Sequence, residues 1–219
     1  MIAALYVDPK GAYAGLPSVE LWDKERDARR YAGPYPVVAH PPCGRWCQLA
    51  GFVQYCYGYK RGEDGGCFAA ALKSVRIFGG VLEHPAFTAA WRAFDLPRPV
   101  GKGVWCRSIC GGWSCEVDQS AYGHPARKST WLYVFGARML PSMRLSGQAS
   151  AMVGRAWNPA DPANRSARCS FLRNRDKRTS ELRRLSSKEA SATPPAFRDL
   201  LLEIARSCAP KREERMLAT

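Results

Sequence analysis

Residues 37–47 read VVAHPPCGRWC. The two β-branched valines favour an extended, packed segment, and a strand is expected over residues 36–39. Pro41 and Pro42 lack the N–H that a ladder needs and hold φ near one value, so pairing must stop at His40 and pass into a stiff loop. Cys43 is the next side chain that this loop presents. A second segment of the same grammar, VLEHP at residues 81–85, again runs apolar residues into His-Pro. Between the two lies the clearest helix of the chain, expected over residues 67–78. There Phe68, Ala71, Leu72, Val75 and Phe78 recur on one side, with Lys73, Ser74 and Arg76 on the other. Gly79 and Gly80 end it. Strand, helix and strand joined by short links predict parallel pairing. Ligand sites in such sheets gather at the carboxyl ends of the strands, where both His-Pro segments fall.

Working outward, residues 3–7 and 18–22 read as further short strands. The first is broken by Asp8, Pro9 and Gly11, and the second runs into the acidic Asp23, Glu25 and Asp27. One helical turn is expected at 27–31, a loop or short helix at 44–59, and a helix at 86–94. Strands are expected at 112–118 and 130–136, the latter apolar throughout and hence buried. A closing helix begins after Thr193-Pro194-Pro195 and runs through Arg206, with Phe197, Leu200, Leu201 and Ile204 on one face. The expected fold is α/β: a Rossmann-like, mostly parallel sheet with flanking helices and a small basic irregular segment. Residues 1–137 are expected to form the α/β domain and 138–190 a basic insert. Residues 191–207 form a helix packing back on the domain, and 208–219 a frayed tail.

The chain has 219 residues, 46% of them hydrophobic, enough for one domain core. No apolar run approaches the roughly 18 residues of a membrane span. The opening MIAALYVDPKG has no basic lead, so it reads as a core strand rather than a signal peptide, and a cytoplasmic location is expected. The cysteines number nine, an odd count, and the spacings Cys43-x3-Cys47 and Cys106-x3-Cys110-x4-Cys115 differ from the CxxC pairs of zinc sites. They read as reduced thiols, with no metal expected. Net charge is +14, and residues 138–190 carry 12 Lys and Arg against 4 Asp and Glu, the remainder 21 against 15. Such a basic segment points to a polyanion, nucleic acid first. Nothing resembles the basic amphipathic helix of a membrane-surface protein.

The order of PPC, a strand carrying Glu-x-Pro, AYGHPARKSTWLYVFG and a closing TPPAFRDLLLEIA helix resembles the DNA cytosine-5 methyltransferases. It is also similar to small phage-encoded proteins with HPPC, EHP and GHxARK segments. The likeness covers most of residues 3–136 and again 188–206. It implies a Cys43 thiolate adding to pyrimidine C6, methyl transfer to C5 from S-adenosylmethionine, and a flipped base from double-stranded DNA. Cys43, Glu83 and Arg127 would be catalytic. Asp8, Gly11 and Asp23 would hold the cofactor, with Asp23 in the acidic segment WDKERDARRY on its ribose. His40, Pro42, Trp46, His84 and Lys128 would contact substrate. The chain departs from the family pattern in reading LYVDPKGAYAGL where a glycine loop is usual, and in placing His84 after Glu83 where the family has Asn.

The chemistry suits these residue types. A thiolate adding to the ring creates an enamine, and a carboxyl group near N3 stabilises the charge that develops. A loop leading into a helix N-terminus is expected to lower the thiol's pKa. A cation such as Arg127 or Lys128 would hold the O2 edge or a phosphate, and Trp46 a stacked base. Two other readings use the same residues: a catalytically inactive relative that binds nucleic acid, and a cysteine-ligated metal or cluster protein.

Overall fold

The computed structural model describes residues 1–48, 50–109, 111–152 and 183–208. Among them, one seven-stranded sheet runs in the order β2-β1-β3-β4-β7-β6-β5. Its strands are β1 (Ile2–Leu5), β2 (Val19–Trp22), β3 (Val37–Ala39), β4 (Gly80–Pro85), β5 (Cys106–Arg107), β6 (Trp113–Asp118) and β7 (Ser129–Phe135). The helices are α1 (Ala50–Tyr57), α2 (Cys67–Phe78), α3 (Ala89–Ala93), α4 (Ser187–Ser191) and α5 (Pro195–Ser207). Strands β8 (Ala151–Met152) and β9 (Arg183–Arg184) make a separate parallel pair.

Strands β2, β1, β3 and β4 are parallel, as the strand–helix–strand pattern required. The rest of the sheet is not. β7 runs antiparallel to both β4 and β6, and β5 antiparallel to β6. The sheet is therefore mixed. Residues 119–128 are too short a link for a parallel crossover, which takes a dozen or more residues, so β7 must turn back alongside β6.

Alternate residues of the parallel strands feed two cores. Ala3, Leu5, Val37, Ala39 and Leu82 face α2 and α3, where Phe68, Leu72, Val75 and Trp91 are buried. Ala4, Val38 and Val81 face α5, with Phe197, Leu201 and Ile204. The closing helix thus packs back across one face of the sheet, its apolar stripe inward. Gly80, at φ 135°, begins β4 where a Cβ would collide with the Val37 carbonyl oxygen, so only glycine lets these strands approach there.

Helix α2 matches its expected bounds. Helix α3 is shorter than residues 86–94, because Phe87 sits at φ 61° and Thr88 caps the helix, its Oγ1 accepting from the Ala90 N–H at 3.3 Å. Cys208 is not frayed: it is buried and bridges Ala137, while residues 209–219 lie outside the described residues. Most of the basic 138–190 segment lies outside them too. At its described ends, Ala151 and Leu185 pack on Ala126. No helix among the described residues is long and apolar enough to cross a membrane.

Candidate active site

The chain leaves β1, forms β2 on one side, and returns to place β3 on the other. Such a reversal opens a crevice at the carboxyl ends of β1 and β3, where α/β sheets bind ligands. The register pairs Ala39 with Leu82, so the next residues, His40 and Glu83, stand side by side at the tips of β3 and β4. His40 Nδ1 lies 2.9 Å from Glu83 Oε2, and His40 Nε2 lies 2.9 Å from the Tyr13 hydroxyl. One neutral tautomer satisfies all three groups: Tyr13 O–H donates to Nε2, and Nδ1–H donates to the carboxylate. On the other side Gln119 Nε2 donates to Glu83 Oε1 at 3.3 Å and to Thr130 Oγ1 at 2.9 Å.

Glu83 and His40 are nearly enclosed, their side chains 12% and 14% exposed. Burial pushes the Glu83 carboxyl up, but the hydrogen bond from His40 and the charge of Lys128 oppose it, and the group is held below its ordinary value. Burial lowers the Lys128 ammonium, while Glu83 and Cys43 pull it up. Its Nζ also donates to the carbonyls of Ser191 and Ala192, both at 3.4 Å.

Cys43 belongs to this group, since its thiol feels both Glu83 and Lys128. Pro41 is buried and Pro42 exposed, and the Cys43 carbonyl accepts from the Trp46 and Cys47 N–H groups, both at 2.9 Å, closing a tight turn. That turn separates the thiol from α1, which starts only at Ala50. The expected lowering of the thiol pKa by a helix N-terminus is therefore not found. Burial, then Glu83 and Cys47, push the thiol above its ordinary value, and Lys128 offsets this only in part.

A cavity of about 610 Å³ adjoins the loop, within the usual size of small-molecule sites. Tyr6, Val7 and Asp8 from the tip of β1, Asp23 and Lys24 from the tip of β2, Pro42 and Cys67 line it, with Asp27, Ala28 and Arg29. Two cofactor candidates, Asp8 and Asp23, thus meet in one cavity. Asp23 Oδ1 accepts from the Arg26 N–H at 2.9 Å, which leaves Oδ2 without a partner among the described residues. Asp27 is committed to Arg29, at 2.7 and 2.9 Å. Gly11 does not line this cavity: its N–H donates to the Asp8 carbonyl at 2.8 Å and closes the turn after β1.

Other candidates stand elsewhere. His84 follows Glu83 on the same strand and so points to the opposite face. It is fully buried against Phe68 and Trp91, with ring centroids 5.2 and 6.5 Å away, and cannot contact substrate. Burial lowers its pKa to about 4, with Glu83 and the Pro42 backbone opposing. Trp46 is 8% exposed, packs on Phe68 and Phe94, and donates from Nε1 to Asp64 Oδ2 at 2.8 Å, so it is a core residue with little surface for a base. Arg127 is exposed, and it is Lys128 whose charge reaches Glu83 and Cys43. Among the described residues, no group of three or more His, Cys, Asp or Glu side chains is placed to hold a metal ion.

Two members of the site carried no signal in the sequence. Tyr13 sits in the irregular loop between β1 and β2, held by Arg198 Nη1 donating to the Ala12 carbonyl at 2.9 Å. Gln119 follows the end of β6, in a 3-10 turn over Gln119–Tyr122.

The fold and site define an α/β protein with a thiol, a carboxylate, an imidazole and an ammonium gathered at a topological switch point beside an acid-lined cavity. The chain matches no protein-family model, no curated protein and no solved structure.

Proposed function

We propose that this protein is a nucleic-acid base-modifying enzyme of the cytosine-5 methyltransferase type. The observation that carries the reading is the side-by-side placement of His40 and Glu83 at the tips of β3 and β4, with Cys43 three residues beyond His40 in the loop that leaves β3.

Cys43 Sγ–H gives its proton to the Glu83 carboxylate, and the freed sulfur pair forms a bond to C6 of a cytosine ring. The C5=C6 pair moves to C4–C5, the C4=N3 pair moves onto N3, and N3 takes the proton from the Glu83 carboxyl. The ring is then a neutral enamine, nucleophilic at C5. Glu83 relays one proton and ends as it began. The direct transfer from thiol to carboxylate is uphill in the free protein, because Cys43 is held above its ordinary pKa and Glu83 below. The thiol therefore stays neutral until a bound ring can consume the proton. Lys128 stabilises the charged sulfur and carboxylate in turn. His40, anchored by Tyr13, keeps Glu83 facing the ring.

The acid-lined cavity fits S-adenosylmethionine by the chemistry of its walls. Asp23 Oδ2 suits ribose hydroxyls, and the excess of carboxylates suits a sulfonium cation. When bound, this cofactor supplies an electrophilic methyl group. The C5 proton then passes to solvent water, its C–H pair forms C5=C6, and the C6–S pair leaves on Cys43; the Glu83 carboxylate takes the proton back from N3 and returns it to the sulfur, which restores the neutral ring and the thiol. The chain's net charge of +14 supports a nucleic-acid substrate.

The test is methyl incorporation into cytosine-containing DNA, with a duplex carrying 5-fluorocytosine as a trap, since a C5 fluorine cannot leave as a proton does. The expected product is a covalent complex through Cys43, lost in Cys43→Ser. Neither methylation nor an adduct on cytosine-containing DNA would reject the enzyme reading and leave an inactive nucleic-acid binder.

A further inference from the structure

A second cavity, also about 610 Å³, lies at the tip of β4. Its walls carry three guanidiniums, Arg61, Arg92 and Arg98, against one carboxylate, Asp95. Its aromatic part is Phe87 and Trp131, with ring centroids 5.3 Å apart. Arg98 Cζ stands 6.0 Å from each ring, so cation and rings form an open box. Trp131 is 3% exposed and held by its Nε1–H donating to Glu116 Oε2 at 3.0 Å. Phe87 is 48% exposed, so one face of its ring is open to a ligand. Its backbone is in the left-handed region at φ 61°, as is that of Asp95 at φ 51°. Such strain is costly for a side-chain-bearing residue and gathers at ligand sites.

This cavity shares its frame with the Cys43 loop. Ala89 N–H and Thr88 Oγ1 both donate to the Trp46 carbonyl, at 2.8 and 3.3 Å. Gly62 N–H, next to Arg61, donates to the Arg45 carbonyl at 2.8 Å. The two loops that line the cavity thus grip the peptide two and three residues beyond Cys43.

We propose that this second cavity binds an unpaired nucleotide of a nucleic-acid strand, its base stacked on Phe87 under Arg98 and its phosphates held by Arg61 and Arg92. An aromatic face takes any base, and guanidiniums take the backbone, which is how unpaired strands are held without sequence preference. The proposal deepens the reading above by assigning the strand beside the target base a place to rest. It is measured by binding alone, so a protein that binds as described yet never methylates would reject that reading and leave this one standing.

The probe is a fluorescein-labelled single strand of about a dozen nucleotides, within the span such grooves cover. Its anisotropy is compared with that of the same sequence as a duplex, and with competition by a free mononucleotide. Phe87→Ala is expected to weaken single-strand binding about five- to a hundred-fold while sparing the duplex. Phe87→Leu, which keeps an apolar side chain but no π face, should do the same if Phe87→Ala folds poorly. Arg92→Ala should reduce the slope of log affinity against log salt by about 0.7, the loss of one phosphate contact on a single strand. Unchanged single-strand affinity in both Phe87 variants would overturn the proposal. So would equal losses for single strand and duplex, or displacement of the strand by mononucleotide at comparable affinity, which marks a small-molecule pocket instead.

Discussion

His40 and Glu83 meet across the tips of neighbouring parallel strands, Nδ1 2.9 Å from Oε2, and Tyr13 closes the line from the other side of the ring at 2.9 Å. A carboxylate this enclosed is costly unless each oxygen has a partner, and the imidazole and the Gln119 amide supply one apiece. The arrangement keeps Glu83 ionised at a ligand crevice, which is what a proton acceptor for Cys43 requires.

Glu83→Gln keeps the shape and removes the acid. Turnover in the methylation assay should fall about 10² to 10⁴-fold, the usual worth of acid–base assistance, with DNA affinity nearly unchanged. Retention of full turnover would remove Glu83 from the proton path.

The Cys43 thiol should label slowly with iodoacetamide at neutral pH and faster as pH rises above its ordinary thiol value, followed by mass mapping. Glu83 is the second largest cause raising the thiol, after burial, so Glu83→Gln should accelerate labelling at a fixed mildly alkaline pH. Cys115, pushed up to about 12 by burial, serves as the unreactive control within the same protein. A Cys43 rate indifferent to Glu83 would show that the two groups do not share a site.

Tyr13→Phe leaves His40 Nε2 without its donor. A loss of about 1 kcal/mol in unfolding free energy is expected, the worth of an ordinary hydrogen bond. The larger effect should fall on kcat rather than KM, because His40 loses its fixed orientation toward Glu83. An unchanged kcat would make Tyr13 a packing residue only.

His84 gives the fold an acid weakness. Its pKa falls from 6.5 unfolded to about 4 folded, so the unfolded chain takes up the proton first as pH drops. The stabilisation is full above pH 6.5 and is lost progressively toward pH 4, amounting to about 3 kcal/mol. Glu83, held below its ordinary value, adds a further loss at lower pH. Denaturant titrations between pH 7 and 4 should show the slope, and His84→Phe should flatten it if the variant folds. A wild-type slope in that variant would assign the weakness elsewhere.

Leu201→Ala removes a fully buried side chain from the middle of α5, on the face packed against β3 and β4. A cost of about 2–5 kcal/mol is expected by urea unfolding. A cost under about 0.5 kcal/mol, as at a surface site, would contradict the docking of the helix.

Much of the frame was legible in the chain. The 3.6-residue period of Phe68, Ala71, Leu72 and Val75, ended by two glycines, fixes α2, because only that period buries one face of a helix. The same argument holds for α5. Prolines after His40 and His84 mark two strand ends because no ladder continues through them, and that put Cys43 and Glu83 at one sheet edge. Alternation along a strand also requires Glu83 and His84 to face opposite sides. Which of those sides carries the site was decided only by the fold. Tyr13 and Gln119 come from distant loops and converge on the His40–Glu83 pair, Tyr13 at the imidazole and Gln119 at the carboxylate, whereas Phe68 and Trp91 close over His84. Local periodicity records how each segment buries itself. It does not record which loop lies above a strand tip, nor that β7 returns antiparallel between β4 and β6, because those are set by chain connectivity and by the packing of residues far apart in sequence.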